Sequence, residues 1–139
     1  GVPPGGSTTP PTPPPVFTPP PIDTTPPTVT AAKRSGSSLL VTYSEGMAPG
    51  RVVNPAAYRV LLGRRVRGAW VFDRAVSLNA RSFRFDTATN TVTIRLGSAP
   101  KGPVRLVVRG DAGLRDLASN LLDGNRDGSP GGNFTTRLN

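Results

Sequence analysis

The stretch Phe83-Arg84-Phe85-Asp86-Thr87-Ala88-Thr89-Asn90-Thr91-Val92-Thr93-Ile94-Arg95-Leu96 decides the fold. Phe83 and Phe85 bracket Arg84, while Val92, Ile94 and Leu96 alternate with Thr93 and Arg95. Successive side chains of an extended strand project to opposite faces, so each run has one apolar and one polar side. The five residues 86–90 between them are turn formers that send the chain back. The segment reads as an antiparallel hairpin with one face to bury.

The same alternation recurs on both sides of it. Val29 and Ala31 alternate with Thr28 and Thr30, and Leu39, Val41 and Tyr43 share a face. Tyr58, Val60 and Leu62 do so with Arg59 opposite, and Val104, Leu106 and Val108 alternate with Arg105 and Arg109. Breakers at 33–37, 100–103 and around Gly131 fall at strand-like spacing. With a last strand at Phe134, the pattern predicts an all-β antiparallel β-sandwich of about seven strands. Helical periodicity is weak. A single turn is expected at Asn54-Pro55-Ala56-Ala57, with Asn54 as cap and Pro55 first in the helix.

Proline divides the chain. Twelve of its 17 prolines lie in the first 27 residues, where fixed φ and missing amide protons favour extended polyproline II. Residues 1–27 read as a semi-rigid linker and residues 28–139 as one domain, long enough for a single core without metal or disulfide support. The chain has no cysteine. No apolar run approaches the roughly 20 residues that span a bilayer, so membrane insertion is not expected. The start within a linker suggests a piece of a longer protein.

The formal net charge is +9, and 15 of the 17 cations are arginine, scattered from Arg34 to Arg137. Scatter of this kind mostly marks a solvated surface. Arg84, Arg95, Arg105 and Arg109 nevertheless all lie opposite apolar residues in their strands. If those strands were neighbours, they would form a basic stripe suited to an acidic glycan or another polyanion. Readers of nucleic acid interleave aromatic residues with such stripes. Here the inward positions take most aromatics and leave only Trp70 unassigned, so no specific nucleic-acid partner is expected.

Catalysis finds little support. The chain lacks histidine and cysteine, and its eight carboxylates include no pair placed by sequence for acid–base work. The best metal candidate is Asp123-Gly124-Asn125-Arg126-Asp127-Gly128, in which Asp123, Asn125 and Asp127 supply oxygens at alternate positions. The acid that completes a calcium loop is missing, since its place is taken by Phe134. A reduced calcium site could still borrow Asp116, Asp111 or a backbone carbonyl from the preceding turn. A self-capped Gly/Asp/Asn turn has the same composition. Arg109-Gly110-Asp111 spells an adhesion tripeptide, and Asn133-Phe134-Thr135 a glycosylation sequon. Both read more simply as strand-end residues.

Three segments carry a family resemblance. Asp23-Thr24-Thr25-Pro26-Pro27-Thr28-Val29 looks like a lead-in to a first strand. Val41-Thr42-Tyr43-Ser44-Glu45-Gly46-Met47 is followed at the usual distance by Asn54-Pro55-Ala56-Ala57-Tyr58. Leu114-Arg115-Asp116-Leu117-Ala118-Ser119-Asn120 resembles an Asp-x-Ala-Gly-Asn turn, with Ser119 where glycine is usual. Together they resemble the bacterial immunoglobulin-like domains repeated in surface-layer, adhesin-like and large secreted proteins. The resemblance implies a non-catalytic structural or adhesion module, secreted or at the cell surface, whose partners are neighbouring domains of the same polypeptide. The alternatives are a module binding cell-surface or extracellular glycan, and an accessory domain of a secreted enzyme. Within the motifs, Tyr43 and Met47 are expected to plug the core, and Asp116 and Asn120 to hydrogen-bond their own turn.

Overall fold

Alternating strands need a second layer to bury their apolar faces, and the chain supplies two sheets. The computed structural model describes residues 24–139. Its strands are β1 (Val29–Ser35), β2 (Ser38–Tyr43), β3 (Tyr58–Val66), β4 (Ala69–Ala75), β5 (Phe83–Asp86), β6 (Thr91–Arg95), β7 (Val104–Val108) and β8 (Phe134–Leu138). One sheet has the order β1-β2-β6-β5 and the other β4-β3-β7-β8, with every pairing antiparallel.

The alternation places the core where the sequence points. Leu39, Val41 and Tyr43 of β2 and Val92 and Ile94 of β6 face Tyr58 and Val60 of β3 and Val104, Leu106 and Val108 of β7, all of them buried. Each such side chain contributes about 1.5–3 kcal/mol of transfer free energy. The two layers are also joined by a polar bond. Tyr43 Oη of β2 and Tyr58 Oη of β3 lie 2.6 Å apart within the core. Desolvation by burial pushes both hydroxyls well above the ordinary tyrosine range.

One end of the sandwich is closed by loops. Met47, Val52, Leu114 and Leu122 are fully buried there, and Met47 bridges to Asp116. Val52 belongs to the short helix α1 (Pro49–Val52). The turn Pro55–Ala57 is 3-10 helical, and the Asn54 side chain accepts from the Ala56 N–H as a cap should.

The eighth strand is β4. It returns from β3 through the two-residue turn Arg67-Gly68, both at positive φ, the geometry that matches strand twist in a tight hairpin. The register skips Asp73 between Leu62↔Arg74 and Gly63↔Phe72, a β-bulge that changes which residues of β4 share a face.

The chain runs through the body from end to end. Near its start, the Asp123 N–H donates to Pro27 O, Thr28 N–H to Ser44 Oγ, and Arg126 to Val29 O. At the far end Arg34 donates to Pro100 O and Gly102 O, while Leu138 pairs with Val104 beside them. β1 and β8 lie side by side at one edge, flanking a groove of about 440 Å3. Residues 27 and 138 therefore sit at opposite ends, about 20 Å apart by the rise of the strands between them. Pro27, assigned to the linker on sequence, is buried and bonded into the body. Residues 1–23 of that linker lie outside the described residues.

Candidate functional site

The acidic loop after β7 folds around its own backbone. Asp123 is buried, and its two oxygens accept from Asp127 N–H at 3.1 Å and Gly128 N–H at 2.8 Å. Asp127 accepts from Ser129 N–H, which holds its carboxyl below the usual range. Asn125 is exposed beside them. Asp116, also buried, accepts from Ala118 N–H, Asn120 N–H and Asn120 Nδ2 at 2.8–3.0 Å, the turn-capping role its motif implies. No three acidic side chains converge as metal ligands among the described residues. Of the four residues proposed for calcium, Asp123, Asn125 and Asp127 lie within side-chain reach of one another, while Asp116 is engaged in the separate turn at 116–120. Asp116 and Asp123 each cap a different turn.

The four strand arginines are also divided. Arg84 on β5 and Arg95 on β6 belong to one sheet, Arg105 on β7 and Arg109 just beyond it to the other. They cannot form one stripe, because the sandwich puts those outer faces on opposite sides. Arg84 and Arg95 share their sheet with a threonine-lined surface in which Thr42 and Thr91 are hydrogen-bonded at 3.0 Å. Arg109 turns to Asp111, with Nε 3.5 Å from the carboxylate. Gly110, between them, is buried so tightly that a Cβ would meet Gly132 O at 1.9 Å. The tripeptide thus lies in the turn just after β7, with Gly110 buried and the Arg109 and Asp111 side chains exposed.

The outer face of the β4-β3-β7-β8 sheet holds a grouping that the alternation did not reveal. Phe72 of β4 faces outward, half-buried, with the Arg105 guanidinium 4.6 Å and the Arg137 guanidinium 5.7 Å from its ring centroid. Trp70, two residues earlier on the same face, carries Arg65 at 5.3 Å. Two glycines seat these rings. A Cβ on Gly63 would lie 3.0 Å from Phe72 Cε1 and 2.9 Å from Pro103 O. A Cβ on Gly102 would lie 3.1 Å from the Trp70 ring. Arg105 and Arg137 are direct register partners. The nearest carboxylate along β4, Asp73, is held bidentately by Arg64 at 2.6–3.1 Å, which keeps its carboxyl below the usual range. None of Arg65, Arg105 and Arg137 has a carboxylate partner among the described residues.

Sequence reasoning sends phenylalanine inward, and for Phe83 that is where it lies. Phe72 departs from the rule because β4 bulges at Asp73 and because Gly63 leaves room for a ring on the outside. The signals were present in Arg67-Gly68 as a hairpin turn and in glycines at 63 and 102 opposite aromatic positions.

No protein-family model matches the sequence, and no curated protein matches it. Solved structures do. The sandwich is similar to part of the structure of surface layer protein SbsC, domains 1-6, at TM-score 0.53 and 14% identity, over 81% of this chain and 13% of that chain. The N-terminal part of the bacterial S-layer protein SbsC matches at TM-score 0.52 and 14% identity, over 81% of this chain and 23% of that chain. The likeness is one of fold. This chain spans less than a quarter of either solved S-layer chain.

Proposed function

We propose that this chain is a non-catalytic, immunoglobulin-like structural module that holds neighbouring domains apart in a larger secreted or cell-surface bacterial protein. The observation that carries the reading is the axial path of the chain, which enters at one end of the sandwich and leaves at the other. Tension along that path loads the β1–β2 and β7–β8 ladders in shear, because antiparallel hydrogen bonds lie perpendicular to the strands. Many bonds must then break together. The strand order supports the immunoglobulin-like assignment. β1-β2-β6-β5 corresponds to strands ABED, and β3-β7-β8 to CFG with β4 added at the edge. The S-layer likeness and the three sequence motifs agree with a module of a long surface protein. A non-catalytic role fits a chain without histidine or cysteine whose buried carboxylates are engaged by backbone amides.

Single-molecule stretching tests the reading. Pulling on the chain termini should require several-fold more force than pulling between handles at Thr24 and Ser44, which unzips β1 from β2 one bond at a time. Equal forces in the two geometries would remove the load-bearing role.

A further inference from the structure

We infer that the outer face of the β4-β3-β7-β8 sheet binds an acidic polysaccharide, gripping its carboxylates with Arg65, Arg105 and Arg137 arrayed on Trp70 and Phe72. The inference goes beyond the spacer role and does not depend on it.

Arg105 and Arg137 are the starting point. Like charges directly opposite one another in a sheet repel, and among the described residues this pair has no carboxylate to relieve it. The Phe72 ring holds both guanidiniums by cation–π attraction at 4.6 and 5.7 Å. Two forks fixed on one ring make a preformed anion receptor, since each presents paired N–H donors matched to a planar carboxylate. Arg137 gives one hydrogen bond to Asn139 Oδ1 and Arg65 one to Gly68 O, and Arg105 gives none to the described residues. Donors therefore remain on all three.

The grouping is rigid and extended. Gly63 and Gly102 leave the recesses that hold the two rings against the backbone, so little ordering is left for the moment of binding. Trp70 and Phe72 are two residues apart on β4, about 7 Å along the strand, and Arg65 stands over the first ring and the Arg105–Arg137 pair over the second. A polymer with a carboxylate on successive units engages both ends at once. The guanidinium over each ring favours carboxylate contacts over base stacking, which needs a bare ring face. Arg84 and Arg95, on the opposite sheet, provide a built-in control of equal charge among threonines instead of aromatic rings.

Trp70 is the only tryptophan of the chain and lies in the site, so its fluorescence reads occupancy directly. Titration of the full chain with polygalacturonate at low salt should give a saturable change in Trp70 emission that weakens as salt rises, whereas neutral dextran gives none. The variant R105Q/R137Q should bind about tenfold more weakly with an unchanged circular dichroism spectrum. R84Q/R95Q should stay within about twofold of the parent. Should R105Q/R137Q fail to fold, R65Q alone serves, with a weakening of about threefold expected. The inference is overturned by the absence of a saturable Trp70 response. It is equally overturned if R84Q/R95Q weakens binding as much as R105Q/R137Q, which would reduce the effect to net charge. Tighter binding of oligothymidylate through the same arginines would make the face a nucleic-acid surface instead.

Discussion

Replacing Tyr43 and Tyr58 by phenylalanine, singly and together, tests how the two sheets are joined. Tyr43 is 2% and Tyr58 5% exposed, and their hydroxyls are bonded at 2.6 Å. Y43F strands the Tyr58 hydroxyl in the core, and Y58F strands that of Tyr43. Leaving a buried hydroxyl unsatisfied costs about 2 kcal/mol, whereas removing both partners leaves two apolar rings of nearly the same shape. Each single variant should therefore lose about 2 kcal/mol, and the double variant about 1 kcal/mol, well short of the sum. In a domain of this size the single variants should melt about 8 °C lower. Urea titration followed by circular dichroism measures all three. Additive losses would refute the reasoning, because they would mean the hydroxyls act independently. The same pair sets an alkaline limit. Burial raises both folded pKa values above the unfolded value of about 10, so their share of stability is intact below pH 10 and is lost as pH rises above it. At pH 11 each tyrosine costs about 1.4 kcal/mol. The chain contains only these two tyrosines, so tyrosinate absorbance should appear only as the protein unfolds.

G63A puts a methyl group 2.9 Å from Pro103 O and 3.0 Å from the Phe72 ring and should cost about 1–3 kcal/mol in urea denaturation, with Phe72 displaced from Arg105. S119G should act in the opposite direction. Ser119 holds φ +70 in the exposed turn capped by Asp116, where glycine meets no Cβ penalty, so the variant should gain about 0.5–1 kcal/mol and melt a few degrees higher.

The core was legible one residue at a time. Leu39, Val41, Val92, Ile94, Leu106 and Val108 could be named as inward from alternation alone, because the two-residue period of a strand is a local property. The cap at Asn54 and the self-bonded turn at Asp116 were legible for the same reason, since each donor lies within four residues of its acceptor. β4 was not. In Ala69-Trp70-Val71-Phe72-Asp73-Arg74-Ala75 neither alternate set is consistently apolar, and the bulge at Asp73 breaks the period.

The binding face was hidden in a different way. Alternation says that Arg105 points outward, but not that Arg137 lies opposite it or that Phe72 lies beneath both. It also cannot say that Arg84 and Arg95 are on the far side of the molecule. What the sequence determined by itself is the strands, their inward faces, the local caps and the excess of arginine. Only the tertiary structure decided which arginines share a surface, which aromatic rings stay outside the core, and that the chain leaves at the end opposite its approach. Side-chain direction follows from neighbours along the chain, whereas strand order and register join residues up to tens of positions apart, and no local preference encodes that pairing.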